Sequence, residues 1–538
     1  MFIANISPST SRSLLRTRLA PAASPFAILT LSHRSYASEA ASSTKRKKRL
    51  VVLGTGWGGY AFLKALSPAT LRHFDVKVVS PTTSFSFTPL LAQASCATLD
   101  FRSAVEPIHS NPGMEYHHAW CDAVDFQAQR IEITSAFNPQ FRLSDPLLTG
   151  AREEVVQQDA GKRATYGLDY DYLVVSVGSY NQTFGTQGVK ENALFLKDVG
   201  DARAIRWRIL GLFETANVKQ HAFAAQRDGE VTQEQEDELR RLLSFIVVGG
   251  GPTGSEFAAE LHDLIKQDLA RLYPNLRAYP SIRLLDAGST ILSSFDAGLA
   301  DYAMKKFARD GIDVQLHAKI ARVERDAVIL TATDGHETRI GAGMVVWSTG
   351  ITTSPLIEAF RGVGKEQRTR KVLTNDTLQL LVDPRAHSVG GSVLNPHADE
   401  LSTSAQADAA DLVAMPNVFA LGDCASQITT PLPATAQVAT QKGQYLARLF
   451  NTHLLTPSNN PRAAPPANPF KFADKGSMAS IGSGKALIDS PVKKESGALA
   501  WLLWRSAYTI MSMSWRNRFL VPANWASNML FGRDVGRF

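Results

Sequence analysis

Cysteine is scarce in this chain. Among 538 residues there are three, Cys96, Cys121 and Cys424, with no C-x-x-C pair and no His/Cys spacing of a zinc site. A disulfide scaffold and a structural metal are therefore excluded, and no metal ligand is assigned. Also missing is any charge-free apolar run of about 18 residues, so no helix is expected to cross a bilayer or to bury the charges of a proton pump. Acidic residues are absent before Glu39. That stretch instead carries Arg12, Arg16, Arg18 and Arg34 among serines, the composition of a mitochondrial transit peptide over residues 1–36, with cleavage after Tyr36. The run Lys45-Arg46-Lys47-Lys48-Arg49 follows, in a basic linker over 37–49. Those nine cations account for more than the net charge of +7, which leaves −2 for the body. Nucleic acid is accordingly not a partner.

What is present is a globular composition, 44% apolar and 20% charged, in a chain long enough for at least two hydrophobic cores. Two segments share one pattern. Leu50–Leu53 is a short apolar strand followed by Gly54-Thr55-Gly56-Trp57-Gly58-Gly59 and a helical stretch from Tyr60 to Leu66. Phe245–Val248 leads into Gly249-Gly250-Gly251-Pro252-Thr253-Gly254 and a helix from Ser255 to Lys266. One G-x-G-x-x-G means little among 37 glycines; two, each set between strand and helix, predict two Rossmann openings. In each, the first glycine makes the turn, the second lets the backbone approach a pyrophosphate, and the third lets helix and strand pack closely.

The strand ends differ. Ile282–Leu285 ends at Asp286, whose carboxylate accepts from ribose hydroxyls and repels a 2′-phosphate, so NADH is expected there rather than NADPH. Val76–Val79 ends at Ser80-Pro81 without an acid. Tyr172–Gly178 and Met344–Gly350 are matched apolar strands closing in small residues, and Asn417–Asp423 closes in Gly-Asp, whose carboxylate suits a ribityl hydroxyl or a helix cap. Glu256, two residues beyond Gly254, is placed at the nicotinamide side of a flavin, or else is a buried paired carboxylate. Gln437 and Gln441 share a helix face and can reach a quinone carbonyl or the flavin ring, or else are core amides. His117-His118 is read as surface or core.

Five prolines between Thr456 and Pro469 mark an extended linker and set the remainder apart as a module. There, Trp501, Trp504, Trp515 and Trp525 accompany Arg505, Arg516 and Arg518 on short apolar pieces, with Pro522 opening a second segment. Such pieces are expected to lie in a membrane interface, or else to pack on the body or form a dimer.

Several ordered motifs, Gly54-Thr55-Gly56-Trp57-Gly58, Phe87-Thr88-Pro89-Leu90-Leu91, Val105-Glu106-Pro107-Ile108, Asp169–Leu173, Val247–Glu256 and Pro433–Gln441, resemble those of the type II (alternative) NADH:ubiquinone oxidoreductases of fungal mitochondria. The resemblance runs from Arg49 to Phe538. It implies an α/β two-dinucleotide-binding flavoprotein. FAD would occupy a discontinuous domain of residues 50–200 and 365–455, held by Gly54–Gly59, Ser80, Thr88, Gly178, Asp423, Ala436 and Gln437. NADH would occupy an inserted domain of residues 201–364, held by Gly249–Gly254, Glu256, Asp286 and Gly350. Residues 456–538 would form a membrane-anchoring helical module beside a quinone channel, in a homodimeric, peripheral enzyme of the mitochondrial inner membrane; a transit peptide without a stop-transfer segment favours its matrix side. Glu256, Gln437 and Gln441 are the residues the reaction would use, in passing a hydride from NADH to FAD and two electrons to ubiquinone without pumping protons. Thr82 and Ser255 depart from the usual motif, and no calcium loop is present.

Three rivals share the two-motif plan. A disulfide reductase needs C-x-x-x-x-C, and Phe101 stands where Cys96 would need its partner. A sulfide:quinone oxidoreductase needs two cysteines at the flavin, and only Cys424 qualifies. An apoptosis-inducing-factor-like flavoprotein has no use for an interfacial Trp/Arg tail.

Overall fold

The computed structural model describes residues 46–110, 113–136, 164–226, 231–332, 334–386, 388–394, 409–452, 468–512 and 514–536. The transit-peptide segment and most of the proline linker lie outside the described residues. Lys47–Phe538 form one compact unit.

Two parallel sheets organise it. In the first, the strand Lys48–Leu53 lies between Phe74–Ser80 and Tyr172–Val175, with Val413–Ala420 added beyond the latter. Leu50, Val51, Val52 and Leu53 are all buried, as expected of a strand covered on both faces. The strand begins two residues earlier than the apolar run, because Arg49 pairs with Asp169 and Asp171. Further strands, parallel and antiparallel, extend this sheet to eleven. In the second, Ser244–Val248 lies between Ser281–Leu285 and Met344–Trp347, flanked outermost by Ile312–Gln315 and Leu194–Phe195. The second sheet thus takes in residues before position 201, where the sequence placed the start of the inserted domain. A three-stranded antiparallel sheet, Ile320–Gly341, covers one face of it.

The chain crosses from the first sheet to the second once and returns once. At the crossing, Ser179–Asn181 pairs antiparallel with Ile351–Thr353, so the outgoing and returning segments form one ribbon. That ribbon sets the ends of the two sheets' strands face to face.

The C-terminal residues do not stand apart. The hairpin sheet Ser477–Gly497 and the helices Ala498–Met511 and Trp515–Phe531 share one core with the second sheet and its helices, through Ala479, Leu487, Ala500, Trp504, Val521 and Trp525. Pro522 opens no new segment; the last helix runs through it from a Ser514 cap.

Candidate active site

The two glycine loops are built alike. Gly54 and Gly249, with φ of +88° and +106°, take the left-handed turn that a side chain would strain. The third glycines permit contact: a Cβ on Gly59 would stand 2.1 Å from the Gly54 carbonyl, and one on Gly254 1.9 Å from that of Gly249. The second glycines, Gly56 and Gly251, face open space, with nothing within 4 Å of a would-be Cβ. Helices start directly behind them, at Trp57 and at Pro252, so unpaired backbone N–H groups point into that space. A serine at the neighbouring strand end locks each loop. Ser176 donates to the carbonyls of Leu53 and Gly54 at 2.8 and 3.0 Å, and Ser348 to that of Val248 at 2.9 Å. The cradle fits a dinucleotide pyrophosphate in both places.

Around the first loop, Thr55 and Ser80 share a buried 2.8 Å hydrogen bond, and the Trp57 indole donates to Thr88 at 3.0 Å. Gly58 lies against the helix Ala436–Thr452, where Gly443 approaches its carbonyl; the N-terminus of that helix, at Ala436 and Gln437, is thereby brought to the same domain. Around the second loop, Asp286 accepts from the backbone N–H of Gly250 at 2.5 Å and of Gly288 at 2.6 Å. Its carboxylate is therefore fixed beside the loop with acceptor capacity remaining for a diol.

Beside Asp423 stand two residues that sequence reading missed, Ser179 and Lys197. Ser179 donates to Asp423 at 3.0 Å, and the ammonium of Lys197 reaches the Ser179 carbonyl. Burial lowers the Lys197 pKa, while Asp423, Asp201 and Asp198 work against that shift. Lys197 follows the strand Leu194–Phe195, whose register with Val346–Trp347 brings it to the Gly350 end of the second sheet. The signal available in sequence was a lysine-aspartate pair closing a short apolar run, without a glycine to mark it. Gly178 and Gly350 take φ of +71° and +76° at the two sides of this junction.

Glu256 is 8% exposed and accepts from the Ser480 N–H at 2.8 Å. Burial raises its pKa to about 8; the Ser480 bond opposes the rise and Glu260, one turn on, adds to it. Its partner thus comes from the C-terminal hairpin, placing it where the second phosphate helix meets the tail. Gln437 accepts from the Lys475 N–H at 2.8 Å and donates to the Gly476 carbonyl, while Gln441 exchanges two bonds with Ala473, at 2.8 and 3.0 Å. These amides, expected to face a quinone or the flavin, hold down the segment 473–476 instead. His117 is buried, bonds the exposed Tyr166 at 2.8 Å and lies near Glu115. Cys424 is wholly buried, with its thiol pushed up to about 11 by desolvation. All three cysteines are free, and among the described residues no group of side chains could hold a metal.

Residues 48–393 match the family model of the pyridine nucleotide-disulphide oxidoreductases, and residues 475–534 match that of the NDH2 C-terminal domain. The chain is 34% identical to the mitochondrial external alternative NAD(P)H-ubiquinone oxidoreductase B1 of Arabidopsis thaliana, covering 97% of this chain and 98% of that one. It is 33% identical to the mitochondrial external NADH-ubiquinone oxidoreductase 2 of Saccharomyces cerevisiae, over 92% of this chain and 84% of the other. Among solved structures, that of NDH2 from Plasmodium falciparum in complex with NADH superposes with a TM-score of 0.73 at 20% identity, covering 91% and 100% of the two chains. The sulfide:quinone oxidoreductase of Aquifex aeolicus shares the fold, at a TM-score of 0.54 and 14% identity over 90% and 96%.

Proposed function

The chain belongs to the type II NADH dehydrogenase family, and from that premise we propose how its residues divide the work. It is a FAD-dependent enzyme that oxidises NADH and reduces ubiquinone at the mitochondrial inner membrane. When bound, FAD supplies the redox chemistry, taking a hydride from NADH and giving two electrons to the quinone. The chain's own task is to bind, orient and desolvate.

In this reading the loop Gly54–Gly59, Thr55 with Ser80, Trp57 with Thr88, Gly178, Asp423 and the helix start at Ala436–Gln437 hold FAD. Gly249–Gly254, Asp286 and Gly350 hold NADH. Lys197, with Ser179 and Asp423, lies where the two meet. We assign Glu256, whose carboxyl burial pushes up to about 8 and which bonds the C-terminal hairpin at Ser480, as a proton source for quinol formation. The observation that carries the reading is the pairing of two glycine cradles across one ribbon. The sulfide:quinone alternative finds no second cysteine beside Cys424. A purified sample scanned for a flavin spectrum and assayed with NADH and a short-chain quinone tests it; absence of either flavin or turnover overturns it.

For the tail we propose membrane attachment, with arguments that differ from those of the sequence. Trp504 and Trp525 are buried and belong to the core, and Arg505 stacks on the rings of Trp501 and Trp525, at 3.8 and 4.5 Å, so these side chains do not serve an interface. The last helix is instead inside out. Its amide row faces the protein, Asn517 donating to Glu106, Asn524 to Ser103 and Asn528 to the Thr98 carbonyl. Its outer face presents Trp515, Phe519, Met529, Leu530 and Phe531, each at least 75% exposed. Inserting such side chains into lipid gains roughly 1.5–3 kcal/mol each, enough for firm attachment. No helix among the described residues is long and apolar enough to cross a membrane. A homodimer would use part of the same face; light scattering in detergent tests whether the enzyme is dimeric, and a monomer overturns it. As to the side occupied, the leader favours the matrix whereas the named relatives are external. Protease protection in mitochondria with a ruptured outer membrane assigns the matrix; digestion assigns the outer face.

A further inference from the structure

The loop leaving the ribbon holds an aromatic ring that nothing above employs. Phe184 has φ +55°, a conformation bulky residues rarely adopt, and is followed by Gly185 at φ +72°. It is also 60% exposed. Backbone strain and an uncovered ring are both unfavourable to folding, so stability does not explain the residue.

The ring is nevertheless held in place. Its Cζ and Cε2 atoms stand 2.6 and 2.7 Å from where a Cβ on Gly350 would sit, so the ring rests on the Gly350 backbone in the space that the missing side chain leaves. The loop beneath is pinned: Gln182 N–H donates to the Gly350 carbonyl at 3.2 Å, the Trp347 indole to the Gln182 carbonyl at 3.0 Å, and Thr186 N–H to the Thr183 carbonyl at 3.0 Å. On one side of Gly350, Ser348 locks the Gly249 loop through the Val248 carbonyl; on the other, the ribbon leads to Ser179 with Lys197 and Asp423.

We propose that Phe184 is the platform on which the nicotinamide ring of NADH stacks, between the second glycine loop and the flavin side of the junction. The proposal rests on the reading that Gly249–Gly254 and Asp286 hold NADH. A flat apolar ring fixed at the strand ends suits a planar heteroaromatic in offset contact, and its face also accepts the positively charged oxidised nicotinamide. Phe184 would then be a substrate-positioning residue, and its rare backbone conformation what turns the ring toward the crevice.

The test is Phe184→Ala and Phe184→Leu, with Phe184→Tyr as the conservative control, in the FAD-loaded enzyme. The expected result is a roughly five- to tenfold rise in the NADH KM and in the NAD⁺ dissociation constant for the first two. The quinone KM, flavin content and Tm should be unchanged, and Tyr should restore the parent values. Phe184→Leu keeps the bulk, so it carries the test if the alanine variant folds poorly. An unmoved NADH KM, or loss of flavin or of Tm with NADH binding intact, overturns the proposal by making Phe184 a brace. Asp286→Ala, measured alongside, separates the two readings: if it too leaves the NADH KM unmoved, the underlying site assignment has failed; if it raises it while the Phe184 variants do not, only the platform has.

Discussion

Glu256→Gln should make the protein less sensitive to alkaline pH. In the fold this carboxyl titrates at about 8, against 4.5 when unperturbed. Between those values the folded chain keeps the proton that the unfolded chain has lost, so folding takes up a proton and stability falls as pH rises. The loss begins above pH 4.5 and levels off near pH 8, where both states are ionised. A shift of that size amounts to roughly 4 kcal/mol across the window. Glutamine retains the carbonyl that accepts from Ser480 and carries no titrating proton. Relative to the parent, E256Q should therefore gain stability progressively from about pH 4.5 to pH 8, by up to roughly 4 kcal/mol, and show no advantage below about pH 4. Thermal or urea unfolding at a series of pH values, followed by intrinsic fluorescence and flavin release, measures this directly. Quinone reduction supplies a second readout: if Glu256 delivers a proton, E256Q should lower kcat and flatten its alkaline limb. Parallel pH profiles for the two proteins would refute the reasoning, because they would mean that Glu256 is ionised in the fold like any surface acid.

Asp286→Ala or Ser should raise the NADH KM and narrow the preference over NADPH, removing a ribose acceptor and a repulsive charge worth about 1–3 kcal/mol together; the ratio of kcat/KM values for the two nucleotides checks it. Gly59→Ala forces a Cβ to within 2.1 Å of the Gly54 carbonyl, so the loop must open and the purified variant should lack the flavin absorbance. Phe519→Ser with Phe531→Ser, which touch lipid in our reading and no core, should release the enzyme from liposomes and abolish long-chain quinone reduction while sparing flavin content, Tm and short-chain turnover. Deleting residues 499–538 should instead destabilise the NADH-binding sheet, since Trp504, Val521 and Trp525 leave its core with the tail; circular dichroism of the truncated chain will report it.

The two cradles were legible in the sequence because their requirements are local. A turn with positive φ, an approach to phosphate and a close helix–strand contact each demand glycine within a window of six residues, and Asp286 follows the next strand at a fixed remove. Contacts between distant segments are not written in any window. Lys197 becomes part of the junction only because a two-residue strand registers against Val346–Trp347 and the ribbon folds Ser179 back toward Asp423. Gln437 and Gln441 have the spacing of a shared face, but spacing cannot say that the segment 473–476 would occupy that face and engage both amides. The tail shows the same limit most plainly. Its composition announced an amphipathic helix without telling inside from outside, since tryptophan suits a core and an interface equally. The segment 93–106 offers acceptors for three asparagines and an indole, and that tertiary match turned the amides inward and left the large apolar side chains facing out.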